Sequence, residues 1–290
     1  MNIDKHTLAL VGYPISHSLS PLFQNEALQL LNLDYHYQSI SIEPNIFLTE
    51  FPSLLSNKIA GMNITMPYKK AVIPFLDQIS DHSILTGSVN TIYRFDHCYY
   101  GTSTDGIGFF KSLFYKFPLF NPHTITILGC GGAARSILAA SLAYPVKELF
   151  VFQRKGKHWD SCSTFIENLR LLFPPTTTIH LLPWNDEASL EGAIKKSSLL
   201  VNCTNIGFSD SKSPLSNPHF LHPDLHVYDI IYKDNQNCQE TTFIQQSRLA
   251  GCTVQTGIGM LLFQGAESFQ LFTGKKMPIH QLSTLNPHQL

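Results

Sequence analysis

Residues 124–135 read TITILGCGGAAR. Thr124 to Leu128 form a short run of β-branched and apolar side chains, the composition of a buried strand. Gly129, Gly131 and Ala134 then follow in a G-x-G-x-x-A spacing, and RSILAASLAY continues with a helical pattern. The first glycine permits the tight turn, the second lets the backbone approach a pyrophosphate, and the small third residue lets helix and strand pack closely. Unpaired N–H groups at the helix start point toward anionic oxygens. The stretch predicts a dinucleotide cradle on Gly129, Gly131, Gly132, Ala133 and Ala134. A glycine turn without a ligand is the plainer alternative.

The next strand, KELFVFQR, sharpens the reading. A cofactor without a 2′-phosphate usually meets Asp or Glu at the end of this strand. Here the chain supplies Gln153, Arg154 and Lys155. A guanidinium at 154 can take a phosphate through paired, charge-assisted hydrogen bonds, which favours NADP over NAD. A solvated surface arginine is the other reading. SLLVNCTNIG and HVYDIIY predict two further buried strands, TTFIQQSRLAG a helix stopped by Gly251, and the segment from Gly257 to Phe272 an amphipathic helix.

Working back toward the start, strands are expected at 7–11, 35–42, 59–65 and 88–94. Helices are expected from Ser20 or Pro21, over 47–55 and 68–76, and beyond Asp105. Alternating strands and helices predict an α/β fold with parallel strands. A length of 290 residues accommodates two domains.

Composition narrows the function classes. Hydrophobic residues are 43% and charged residues 14% of the chain, which excludes a disordered polymer. Twenty basic against twenty-one acidic residues give a net charge of -1, so no broad nucleic-acid surface is expected. Six cysteines form no CxxC pair, and the thirteen histidines make no zinc spacing. Reduced thiols and no metal are expected. The first residues hold no secretory segment, and no apolar run reaches the roughly 18–20 residues of a membrane span. The expectation is a cytoplasmic protein without membrane or nucleic-acid partners.

Ser18, Ser20, Thr65, Lys69, Asn90 and Asp105 each lie near a predicted strand end or turn, where open α/β sheets hold ligands. Hydroxyls, an amide and an ammonium suit a small molecule carrying a carboxylate and several hydroxyls. GYPISHSLSP at 12–21, GMNITMPYK at 61–69, GSVNT at 87–91, STDGIGF at 103–109, LGCGGAAR at 128–135, NCTNIG at 202–207 and GMLLFQGAESF at 259–269 stand in this order. Together they resemble the shikimate dehydrogenase family, which reduces 3-dehydroshikimate reversibly with NADPH on the route to chorismate and aromatic amino acids.

The resemblance implies a two-domain α/β enzyme. Its substrate-binding domain is discontinuous, expected at 1–106 and 249–290, around a Rossmann-like NADP-binding domain at 107–248. It implies that Lys69 and Asp105 are the catalytic pair and that Ser18 and Ser20 bind the substrate carboxylate. Thr65, Asn90 and Gln264 would contact its other oxygens, with Tyr232 nearby. The glycine turn and Arg154, flanked by Gln153 and Lys155, would hold NADP, with Asn202, Thr204, Gly257 and Met260 along its nicotinamide half. Tyr13 and Ser103 stand where the family pattern has asparagines, and the polar loop after Tyr232 lacks the family's proline–threonine pattern. An NAD-using quinate/shikimate dehydrogenase and a non-catalytic ligand sensor are the rival readings. Both monomers and homodimers fit the family.

Overall fold

A computed structural model describes residues 6–56, 59–232 and 240–284. The chain divides into two units. One runs to Gly108 and resumes at Leu261; the other runs from Phe109 to Met260.

The first unit contains β1 (Thr7–Gly12), α1 (Ser20–Leu30), β2 (His36–Ser41), α2 (Phe47–Ser56), β3 (Gly61–Ile64), β4 (Gln78–Ile79), α3 (Asp81–Thr86), β5 (Thr91–Phe95) and β6 (Cys98–Thr102). It also holds the start of α4 (Asp105–Lys116). Its sheet runs β2-β1-β3-β5-β6-β4. β1 is buried along its whole length, as a central strand covered on both faces must be. It lies parallel to β2 and β3. Ala9, Val11, Phe47, Phe51, Ile64 and Tyr68 share one apolar cluster.

Two expectations fail in this unit. The sheet is mixed, because β5 runs antiparallel to both β3 and β6. The cause is a hairpin through Asp96 and His97, whose φ values of 46° and 67° make a tight two-residue link. Nor is 68–76 an α-helix. Only Ile73–Phe75 forms a short 3₁₀ turn. Tyr68 there stacks on Phe47 with ring centroids 3.9 Å apart and donates its hydroxyl to the Ile42 carbonyl. Tertiary packing overrides the local pattern. α1 begins at Ser20, within the expected start, with Leu19 at the cap.

The second unit carries the rest of α4, then β7 (Thr124–Leu128), α5 (Gly132–Ala140), β8 (Glu148–Gln153), α6 (Trp159–Arg170), β9 (Thr178–Pro183), α7 (Glu187–Lys196), β10 (Leu199–Asn202), β11 (His226–Asp229), α8 (Thr242–Leu249), β12 (Thr253–Thr256) and the start of α9 (Gly257–Thr273). The sheet order is β12-β11-β10-β7-β8-β9, parallel throughout. Strand order therefore reverses between β7 and β10, the doubly wound arrangement that opens a crevice at the carboxyl ends of those strands. The second boundary differs from the expected 249. β12 is the edge strand of this sheet, paired with β11, so the chain returns to the first unit only within α9.

Candidate active site

In the first unit, four residues converge from four segments. The Lys69 ammonium donates to Asp105 Oδ2 at 2.5 Å, with side chains 22% and 6% exposed. Asp105 is the first residue of α4, where the helix dipole favours a negative charge. Asn90 Nδ2 donates to the other carboxylate oxygen, Oδ1, at 2.8 Å and lies 3.1 Å from Gln264 Oε1. Gln264 reaches this cluster from α9 because Gly108 leaves room for its backbone. A Cβ at 108 would stand 2.5 Å from the Gln264 nitrogen. The Lys69 backbone is anchored in turn by Val89 N–H, which donates to its carbonyl at 2.8 Å.

Ser18 and Thr65 lie on the loops that follow β1 and β3, and Ser20 opens α1 at the end of the first of these loops. These strands are parallel, so both loops leave the same sheet edge. Thr65 N–H donates to Val11 O at 2.9 Å, and Tyr13 N–H donates to Met66 O at 2.9 Å, which ties the loops together. Gly12 has no side chain to collide with the Thr65 methyl. Ser18 Oγ accepts from Ser20 N–H at 3.3 Å.

In the second unit the glycine turn leaves β7 at the reversal point. Gly129 has φ +93°, and a Cβ on it would press within 2.9 Å of Thr204 Cγ2. Gly131 caps α5 with no side-chain bond, and a Cβ there would meet nothing within 4 Å. Open space over uncapped helix N–H groups fits a pyrophosphate. Gln153 Oε1 accepts from Cys130 N–H at 3.2 Å and pins the turn to the end of β8. Arg154 is exposed, and Lys155 Nζ sits 5.8 Å from the Trp159 ring centre. Among the described residues Arg154 makes no ion pair, so its charge is available to an anion.

Asn202 and Thr204 form the facing wall. Asn202 Oδ1 accepts from Thr204 N–H and Oγ1 at 3.0 and 2.7 Å, and its Nδ2 donates to buried Asp229 at 2.9 Å. Gly257 passes against the Ile230 carbonyl, and Met260 N–H donates to the Tyr228 hydroxyl at 3.1 Å. Tyr232 follows β11, while residues 233–239 of the polar loop, Cys238 among them, lie outside the described residues. Cys130 and Cys162 share a thiol hydrogen bond that holds Cys130 below the usual thiol range, helped by the Arg135 charge, and pushes Cys162 up.

The sequence reading assigned no role to Asp229, Gly108, Asn63, Thr91 or Ser268. For Asn63 the signal is an amide inside the apolar run GMNI, because a buried amide is costly unless paired.

A mixed α/β unit bearing a lysine–aspartate pair, followed by a doubly wound unit with its glycine turn at the reversal point, defines a two-domain enzyme class: an N-terminal substrate-binding domain and a C-terminal Rossmann-like dinucleotide domain. The family model for the shikimate dehydrogenase substrate binding domain matches residues 10–92, and that for the shikimate 5′-dehydrogenase C-terminal domain matches 257–281. A shikimate dehydrogenase (NADP(+)) from Streptococcus sanguinis is 36% identical over 97% of each chain. A solved shikimate 5-dehydrogenase from Listeria monocytogenes, in complex with shikimate and NAD, superposes with TM-score 0.84 at 29% identity, covering 95% of this chain and 94% of that one. Another from Thermus thermophilus, in complex with NADP(H) and shikimate, gives 0.78 at 27% identity over 93% and 94% of the two chains. The chain belongs to the shikimate dehydrogenase family. Among the described residues no helix is long and apolar enough to cross a membrane.

Proposed function

We propose that this chain is an NADP-dependent shikimate dehydrogenase, reducing the C3 carbonyl of 3-dehydroshikimate reversibly in the cytoplasm. The observation that carries the proposal is the Lys69–Asp105 pair at 2.5 Å, with Asn90 and Gln264 bonded around it. NADPH, when bound, supplies the hydride. As negative charge grows on the C3 oxygen, the Lys69 ammonium stabilises it and delivers a proton. Asp105 holds that ammonium in place and accepts from a substrate hydroxyl. In the oxidation direction the Lys69 amine takes the hydroxyl proton.

Ser18 and Ser20 bind the substrate carboxylate, and Thr65, Asn90, Gln264 and Tyr232 bond its remaining oxygens. In the second unit Gly129, Gly131, Gly132, Ala133 and Ala134 cradle the pyrophosphate. Arg154, flanked by Gln153 and Lys155, takes the 2′-phosphate, while Asn202, Thr204, Gly257 and Met260 line the nicotinamide half. The exposed Arg154 charge, which makes no ion pair among the described residues, supports NADP over NAD, because a 2′-phosphate bonds a guanidinium through paired, charge-assisted hydrogen bonds and a ribose hydroxyl does not.

The test is an activity matrix of shikimate and quinate, each with NADP⁺ and NAD⁺, followed by nicotinamide absorbance. The expected result is the highest kcat/KM for shikimate with NADP⁺. Preference for quinate with NAD⁺ would overturn the assignment of substrate and cofactor. Absence of hydride transfer from either acid would overturn the enzymatic reading and leave the sensor.

A further inference from the structure

Behind the Lys69–Asp105 pair, the first unit buries an unusual density of polar side chains. Tyr37, Asn63, Asn90, Thr91, Thr104, Asp105 and Ser268 are all at most 5% exposed. Their hydrogen bonds form a connected network, branched at the Thr104 hydroxyl, which lies 3.2, 3.3 and 3.2 Å from Asn90 Oδ1, Thr91 Oγ1 and Ser268 Oγ. The Tyr37 hydroxyl on β2 donates to Asn63 Oδ1 on β3 at 2.9 Å. Asn63 Nδ2 donates to Ser268 Oγ on α9 at 2.8 Å, and Ser268 Oγ lies 2.7 Å from Thr91 Oγ1 on β5. Thr91 Oγ1 donates to Asn90 Oδ1 at 2.8 Å, and Asn90 Nδ2 donates to Asp105 Oδ1 at 2.8 Å.

Asp105 and the Thr104 N–H settle the orientation of the Asn90 amide. A carboxylate only accepts, so Asn90 must turn its NH₂ toward Asp105 and its carbonyl oxygen toward Thr91. Thr104 N–H, which only donates, meets the same Asn90 oxygen at 2.8 Å. The Thr91 proton goes to the Asn90 oxygen, while the single Ser268 proton lies within reach of both the Gln264 carbonyl and the Thr91 oxygen, and Ser268 accepts from Asn63 Nδ2. Successive donors polarise one another in a buried setting, and each link adds partial positive charge toward the carboxylate. Ser268 is also one helical turn from Gln264, whose carbonyl lies 3.0 Å from its hydroxyl. Its contact with Thr91 links α9, which carries Gln264, to the first residue of β5, next to Asn90.

We propose that the Thr91–Ser268 hydroxyl pair is a positioning device for the reaction: it orients the Asn90 carboxamide, and through it the Asp105 carboxylate, toward Lys69. Neither residue reaches Lys69 itself. The inference rests on Lys69 and Asp105 being the proton-handling pair. It predicts an effect on the chemical step that side-chain bulk alone does not produce. Thr91→Val keeps the shape of the strand residue and deletes the hydroxyl, Ser268→Ala deletes the other, and Thr91→Ser restores the hydroxyl without the methyl.

Two readouts separate this inference from the functional reading. In shikimate oxidation, Thr91→Val and Ser268→Ala are expected to lower kcat about 10- to 100-fold, the scale of a misaligned proton-transfer group, with the KM for NADP⁺ unchanged and with Thr91→Ser within about threefold of wild type. Independently of turnover, acetic anhydride labelling of Lys69 at pH 8, followed by peptide mass spectrometry, is expected to quicken severalfold in both hydroxyl-deleted variants and not in Thr91→Ser. A lysine held less firmly on its carboxylate is the more nucleophilic. If the wild type proves inactive on shikimate, the functional reading falls while the labelling still decides this one. Wild-type labelling in whichever hydroxyl-deleted variant folds, or a Thr91→Ser protein as impaired as Thr91→Val, would overturn it.

Discussion

The two units solve different problems with different atoms. In the first, the proposed chemistry rests on side chains. Lys69, Asp105, Asn90 and Gln264 bond directly to one another above a buried polar network, so each is held by its neighbours. In the second, the proposed cradle is backbone, shaped by what Gly129 and Gly131 lack, and the Arg154 charge stands outward in solvent. Proton transfer demands placement within a fraction of an ångström, whereas an anion needs N–H groups, space and positive charge. The contrast teaches where each kind of damage should register: first-unit changes in kcat, second-unit changes in cofactor KM.

Lys69→Ala tests that division most severely. Turnover is expected to drop about 10²–10⁴-fold, the usual worth of a positioned acid–base group, while NADP⁺ titration of protein fluorescence stays as in wild type. Comparable loss of cofactor binding would erase the contrast. Arg154→Ala should raise the KM for NADP⁺ about 10- to 100-fold, matching about 1.5–3 kcal/mol for hydrogen bonds to a charged group, and leave NAD⁺ kinetics alone. Steady-state assays with both nucleotides check it.

A pair of alanine substitutions sharpens the comparison inside the cradle. Gly129→Ala forces a side chain into φ +93° against Thr204 and should cost about 1–3 kcal/mol of stability, read as a lower thermal midpoint. Gly131→Ala has ordinary extended-side backbone and open space, so its midpoint should hold while the NADP⁺ KM rises about tenfold. Matching midpoints for the two proteins would refute this account of the turn.

The smallest expected effect is common to both units. Burial depresses the His82 pKa in the first, against an opposing pull from Asp105, and the His226 pKa in the second. The unfolded chain binds those protons more readily, near the ordinary value of about 6.5. Stability is therefore full above that pH and falls as pH drops through the depressed values. Thermal midpoints should decline by a few degrees between pH 7.5 and 5.5. His226→Phe, which keeps the ring stacked on Phe120 at 3.8 Å, should flatten part of the slope.

The second unit was the more legible in sequence, for a physical reason. Parallel strands buried on both faces read as continuous apolar runs, and a glycine turn must be spelled with glycines. The first unit hid more. Its β5–β6 hairpin turns through Asp96–His97 rather than an Asn-Gly pair, with Arg94 Nη2 lying 3.3 Å from His97 Nδ1 across it. The segment after β3 has helical spacing but is held by Phe47, Ile42 and Val89, partners distant in sequence. Lys69 and Asp105 stood out through motifs. The polar network behind them did not, since no local pattern tells a bonded core serine from a surface one.

The interrupted order of the first unit also bears on how the protein is made. Its last helix supplies Ser268 to the buried network, a carbonyl at Gly265 that takes the Gln24 amide at 3.0 Å, and the Phe272 ring laid over Gly61. On the ribosome these residues emerge only after Phe109–Met260 of the second unit. Phe23, Gln24 and Asn63 therefore stay uncovered by α9 until that helix has been made.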